Sequence, residues 1–312
     1  MALALVFPGQ GAQTIGMGRD LADAYPEAKG VFDEVDAALG EDLSRTIWEG
    51  DQETLTLTAN AQPALMATSL AALRALEAEG FDIDRIEFVA GHSLGEYSAL
   101  AAAGALSIPD AARLLRLRGQ AMQEAVPVGE GAMAALLGLD FAQADAVAKK
   151  AAGDQVCQAA NDNDPSQVVV SGHRAAVERA VELAKEAGAK RAVMLPVSAP
   201  FHCALMQPAA DRMAEAIADV RIGRPRVPVV TNVTAAPQSD PEEIKRLLVQ
   251  QVTGAVRWRE SVAAMAAAGV TEIWEVGAGK ALSGMVKRID RSIALRAVGT
   301  SSDVKAALGK GE

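Results

Sequence analysis

The chain has few of the residues that would staple a small fold, and none of the runs that would carry it to a nucleic acid or a membrane. Its 312 residues include two cysteines, Cys157 and Cys203. They form no CxxC pair and cannot frame a disulfide scaffold, which points to a reducing compartment, the cytoplasm. No lysine or arginine run stands out against a formal net charge of -10, so phosphate-backbone binding is not the expected activity. No apolar run reaches membrane-spanning length. The apolar start, Met1 to Phe7, is short, lacks a basic flank and stops at Pro8, so it reads as a first strand rather than a signal peptide. Internal repeats and low-complexity tracts are absent. Three histidines in the whole chain narrow the search for a general base.

What is present suits a soluble globular protein with a large core and room for about two domains: 50% of residues are hydrophobic and 22% charged. The pattern is centred on Gly91-His92-Ser93-Leu94-Gly95. An apolar run from Ile86 to Ala90 reads as a buried strand and Leu94 to Ala103 as a helix, so Ser93 sits in a Gly-x-Ser-x-Gly turn of nucleophile-elbow type. The two glycines permit a sharp bend, and the helix start points unpaired N–H groups at the serine. Earlier, strand Ala2 to Phe7 leads into Pro8-Gly9-Gln10-Gly11. This is no dinucleotide fingerprint, because Thr14 stands where the third glycine belongs and no acidic residue ends a second strand. Helices are expected from Ile15 to Leu39 and from Ala61 to Glu79.

After the elbow, helix Ala111 to Glu124 can be read at 100° per residue. Leu114, Leu115, Met122 and Ala111 fall within about 60° of Arg118, so Arg118 points along the buried stripe. A buried arginine needs an anion, either a core carboxylate or a carboxylate-bearing substrate, unless it snorkels to the surface. From 129 to 196 the elements read strand, helix, strand, strand, helix, strand. This is the βαββαβ order of a ferredoxin-like domain, inserted into a larger α/β domain made of 1–128 and 197–312. Asn161-Asp162-Asn163-Asp164-Pro165 has turn chemistry and is expected to join the two middle strands. A cleft between the domains is the natural site. His202, after Pro200-Phe201, returns the chain to the large domain facing that cleft and is the favoured base. His92 is adjacent to Ser93 and diverges from it, and His173 caps a strand of the insert. No carboxylate marks itself as a third triad member, so a backbone carbonyl or an amide is left to orient the ring. The closing Gly277-Ala278-Gly279-Lys280 is no P-loop, because Ala281 replaces the Ser/Thr and position 274 is Trp.

Phe7-Pro8-Gly9-Gln10-Gly11, Gly91-His92-Ser93-Leu94-Gly95-Glu96, Arg118, Val197-Ser198-Ala199-Pro200-Phe201-His202 and Val276-Gly277-Ala278-Gly279-Lys280 resemble, in that order, the motifs of malonyl-CoA:acyl carrier protein transacylases. The resemblance runs from residue 3 to about 298. It implies an α/β-hydrolase-like domain with a parallel sheet plus the ferredoxin-like insert. It implies Ser93 as nucleophile, His202 as base, the Gln10 and Leu94 N–H groups as oxyanion hole, Arg118 as clamp on the malonyl carboxylate, and the main-chain carbonyl of Gln251 as the group orienting His202. Malonyl-CoA and acyl carrier protein are the implied partners in ping-pong transfer for fatty acid synthesis or a discrete polyketide pathway, by a monomer with no metal or bound cofactor. A serine esterase or thioesterase would share the elbow but show a triad acid and have no use for an inward Arg118.

Overall fold

The computed structural model describes residues 2–197 and 199–310; Met1, Gly311, Glu312 and Ser198, where the sequence returns the chain to the large domain, lie outside them. Among the described residues ten strands form two sheets. The larger has six: β1 (Leu3–Phe7), β2 (Phe88–Gly91), β7 (Val229–Val230), β8 (Pro237–Gln238), β9 (Glu272–Val276) and β10 (Ala294–Val298), in the order β10-β9-β1-β2-β7-β8. All its pairings are parallel except the edge pair β7–β8. The smaller sheet has β3 (Gly131–Leu137), β4 (Cys157–Asp164), β5 (Gln167–His173) and β6 (Arg191–Met194) in the order β4-β5-β3-β6, all antiparallel.

The parallel sheet is covered on both faces, as its unbroken apolar strands require. On β1, Leu5 and Phe7 enter one core, with helices Pro26–Leu39, Thr58–Ala78 and Ile108–Glu124. Ala4 and Val6 enter the opposite core, with Trp258, Val262, Leu282 and Val286 of the later helices. The small sheet has one face on its own helices, Phe141–Ala152 and Arg174–Glu186. Its other face carries Met133, Ala135, Ala160 and Val169, packed with Leu195, Val197 and Phe201 toward the large domain.

Two local expectations are corrected. The helix read over Ile15 to Leu39 is two helices, Arg19–Ala24 and Pro26–Leu39. Tyr25 between them is extended, because the proline ring disfavours helical backbone in the residue before it. Asn161 to Asp164 is not the turn between the middle strands but the end of β4; only Pro165 and Ser166 turn. Tertiary partners override the turn propensity. Val256 bonds both sides of this stretch through Asp162 N–H to its carbonyl and its own N–H to the Ala160 carbonyl, each 2.9 Å. The buried Asp162 and Asp164 carboxylates pair with Arg259 (2.8 Å) and Arg288 (2.7 Å) of the large domain.

Candidate active site

β2 ends at Gly91, and helix Gly95–Ala102 starts four residues later. The turn closes so tightly that a Cβ on Gly91 would lie 1.9 Å from the Gly95 carbonyl, and one on Gly95 would lie 2.3 Å from the Phe7 oxygen. Ser93 between them takes φ 54°, a left-handed backbone that L-residues adopt at a cost of about 1–3 kcal/mol. Asn232 holds it there. Its Oδ1 accepts the Ser93 N–H at 2.7 Å, and its Nδ2 donates to the Gly91 carbonyl at 2.6 Å.

His202 also has positive φ, 58°, and its ring reaches Ser93: Nε2 lies 2.7 Å from Oγ. Nδ1 lies 2.9 Å from the main-chain carbonyl of Gln251. A carbonyl can only accept, so Nδ1 carries the proton, and Nε2 is left as the acceptor of the Ser93 hydroxyl proton. Burial is the main force holding His202 neutral, and the nearby Arg118 guanidinium adds to it; together they lower its pKa to about 3. Gln250, the neighbour of Gln251, faces outward and accepts from Arg246.

Arg118 is 1% exposed, fully inward on its helix as the periodicity predicts. Helix Ile108–Glu124 can sit this close to helix Thr58–Ala78 because residue 119 is glycine; a Cβ there would lie 2.5 Å from the Ala59 Cα. One terminal nitrogen donates to Gln62 Oε1 at 2.7 Å. The other donates to Gln251 Oε1 at 2.8 Å and to Ser93 Oγ at 3.1 Å. Glu96, on the elbow helix, is buried below this pair and accepts from Asn232 N–H and Gln251 Nε2, both at 2.9 Å. Burial pushes its pKa up to about 7, against the pull of those donors and of Arg118.

The cleft above Ser93 measures about 400 Å³ and lies between the two sheets. Gln10, Leu94, Arg118 and His202 line it from the large domain, and Met133 and Val169 from the small one. Among the described residues the Gln10 and Leu94 N–H groups have no hydrogen-bond partner, while the Gln10 side chain is held by the Thr58 hydroxyl at 2.9 Å. The Gly9 loop lies against the elbow, where a Cβ would come within 2.7 Å of the His92 carbonyl. The geometry therefore offers a serine with a neutral imidazole on its proton, free N–H groups nearby, and a cation beside its oxygen.

The other sequence candidates fall elsewhere. His92 lines the cleft, but its Nε2 faces Asn163 Oδ1 (2.9 Å) and its ring packs on Trp258. His173 accepts the Val156 N–H at its strand end. Gly277 of the closing turn is pressed against helix Thr58–Ala78, where a Cβ would meet Ser69 Oγ at 2.3 Å, so that turn serves packing. Sequence reading missed Gln62, Asn232 and the role of Glu96. Gln62 had one available signal, a polar residue within an otherwise apolar helix stretch.

Comparison with known proteins gives the family. The profile of the acyl transferase domain family matches residues 4–294. A malonyl CoA-acyl carrier protein transacylase of Bacillus subtilis is 48% identical over 98% of this chain and 96% of its own length. The crystal structure of an acyl-carrier-protein-S-malonyltransferase from Bartonella henselae superposes with TM-score 0.97 at 55% identity, covering 99% of both chains. A malonyl-transacylase solved in complex with a type II polyketide synthase acyl carrier protein superposes with TM-score 0.96 at 43% identity over 100% of both chains. The chain belongs to the acyl transferase domain family and, within it, to the malonyl-CoA–acyl carrier protein transacylases.

Proposed function

We propose that the chain moves a malonyl group from malonyl-CoA to the phosphopantetheine thiol of acyl carrier protein through a malonyl ester of Ser93. Ser93 Oγ attacks the thioester carbonyl carbon as its proton passes to His202 Nε2. The Gln10 and Leu94 N–H groups take the oxyanion, and the coenzyme A thiolate leaves with the proton from Nε2. The carrier-protein thiol then gives its proton to His202 and attacks the ester, and Ser93 recovers the proton as it departs. Each proton and each developing charge has a partner within the chain, so the reading assigns no resident metal or cofactor.

The observation that carries the reading is the Arg118 terminal nitrogen 3.1 Å from Ser93 Oγ. In a malonyl ester the free carboxylate is only three carbons from that oxygen, within reach of the same guanidinium, where a bidentate pair is strong and selective. Among the described residues no helix is long and apolar enough to cross a membrane; with a thioester substrate and two unpaired, buried thiols, this supports the cytoplasm. Fatty acid synthesis is the pathway we assign. The likeness to a transacylase bound to a polyketide carrier protein favours a second reading, delivery to a polyketide pathway. Intact-protein mass spectrometry tests the reaction: malonyl-CoA should add one malonyl group to wild type and none to Ser93→Ala, and holo carrier protein should remove it. An adduct on Ser93→Ala would overturn the assignment, and the cognate carrier protein that discharges the adduct fastest selects the pathway.

A further inference from the structure

Beneath the serine lies a buried carboxylate to which the transfer chemistry assigns no step. Glu96 is 1% exposed, and both donors that reach its Oε2 belong to residues holding the site. Asn232 gives its backbone N–H, while its side chain fixes the elbow. Gln251 gives its amide N–H, while its main-chain carbonyl orients His202. The opposite end of that amide, Oε1, accepts from Arg118 at 2.8 Å.

A buried side-chain amide can be turned two ways, and its neighbours decide which. Around Gln251 Nε2 the neighbours are acceptors, Glu96 Oε2 at 2.9 Å and the Ser93 carbonyl at 3.0 Å. Around Oε1 the neighbour is a guanidinium, which can only donate. Oε2 also takes the Asn232 N–H, so it acts as an acceptor whether the carboxyl is ionised or protonated on its other oxygen. We propose that Glu96 is a positioning residue for malonyl selectivity: by taking the Gln251 amide N–H it turns the amide oxygen to Arg118 and holds the guanidinium beside Ser93.

The proposal rests on the reading of Arg118 as the carboxylate clamp, and its test separates the two. Single-turnover acylation by malonyl-CoA and acetyl-CoA gives a ratio of specificity constants. Glu96→Leu, which removes the acceptor, should lower that ratio about tenfold. Glu96→Gln should recover most of the loss, because a carboxamide oxygen can take both N–H groups. In an Arg118→Ala background Glu96→Leu should move the ratio no further. A merely structural role would slow both donors alike, through Asn232 and the elbow, and that result overturns the proposal. So does a Glu96→Gln variant as unselective as Glu96→Leu. Should Glu96→Leu not fold, Gln251→Met removes the amide from the same relay, and an unchanged ratio there is equally fatal. Wild type that takes no malonyl group overturns the transfer reading itself.

Discussion

Replacing Arg118 by alanine separates a malonyl transacylase from a generic serine acyltransferase, and the structure sets the size of the effect. The guanidinium is 1% exposed, and its two terminal nitrogens rest on neutral amide oxygens, Gln62 at 2.7 Å and Gln251 at 2.8 Å. Its charge is therefore held but only partly compensated, since burial pushes the nearby Glu96 up to about 7. In the proposed reaction a malonyl carboxylate would supply the missing anion. Deleting one partner of such a buried pair costs about 3–5 kcal/mol, which at 1.36 kcal/mol per decade is roughly two to nearly four orders of magnitude in kcat/KM for malonyl-CoA. Acetyl has no carboxylate to lose, so its rate should change by less than about tenfold. The specificity ratio should thus fall at least about tenfold, and about a hundredfold or more where acetyl transfer is untouched. Arg118→Lys should restore it in part, because a point charge cannot bridge Gln62 and Gln251 as a planar fork does. Release of coenzyme A with enzyme in excess measures both donors, and thermal denaturation checks the fold. A ratio within about threefold of wild type in Arg118→Ala would make the arginine structural and remove the basis of the substrate assignment.

His202→Ala should slow single-turnover acylation about a hundredfold or more through loss of the base; an unchanged rate would remove the pairing with Ser93 from the mechanism. The pH profile follows from the sign of the shift. His202 must be neutral to accept a proton, and its pKa is lowered to about 3, so kcat/KM should stay nearly level between about pH 7 and 5, where a histidine at its ordinary value would lose about 25-fold. A fall with an apparent pKa near 6.5 would contradict the buried, Arg118-facing imidazole. The same shift means that the unfolded chain binds more protons over this interval, so His202 takes stability away as pH drops from about 6.5 toward 3, readable as a falling denaturant midpoint. A chain of net charge -10 that meets an acidic carrier protein needs a local basic patch, and Lys280 and Lys287 are exposed beside the closing turn. Lys280→Glu with Lys287→Glu should raise KM for carrier protein and leave that for malonyl-CoA, whereas equal effects on both would dismiss the patch. Arg288 is kept out of that test because it pairs with the buried Asp164, and reversing it would unpair a core carboxylate.

The parts of this molecule that could be read from sequence are those whose constraint is local. The Gly-x-Ser-x-Gly spacing reports a turn in which Cβ atoms at 91 and 95 would collide with backbone. Arg118 could be placed inward because helical periodicity needs only its own neighbours. The strand and helix order of the insert matches the observed sheet for the same reason. Asn161 to Asp164 was misread because asparagine and aspartate favour turns only until a distant segment claims them. Here Val256, Arg259 and Arg288, about a hundred residues away, make the stretch a strand. Asn232 was invisible, and Gln62 only faintly marked, for a related reason. Their partners, Ser93 and Arg118, lie 139 and 56 residues off in the chain, and a single amide carries no period or spacing to announce it.

That the partner of His202 is a carbonyl rather than a carboxylate fits the electrostatics by which the proposed clamp would select its substrate. A carboxylate at Nδ1 would share the buried volume with Arg118. At about 5 Å and an effective dielectric near 20, that pair would be worth about 3 kcal/mol. A resident anion of that strength would satisfy the guanidinium before any malonyl group arrived, and the discrimination against acetyl would shrink by a similar amount. The Gln251 carbonyl fixes the tautomer of His202 without bringing a charge, and the amide oxygen of the same residue holds Arg118 without neutralising it. Among the described residues Glu96 is the one carboxylate whose charge acts on Arg118, and it stands behind Gln251, with burial raising its proton affinity to about 7. On the proposed reading, a malonyl carboxylate entering on Arg118 would push that balance toward the protonated acid, removing this competing charge while Oε2 keeps both of its donors. On the proposed reading one glutamine couples the orientation of the base to the recognition of the acyl group, and the site leaves its positive charge largely unanswered for the substrate.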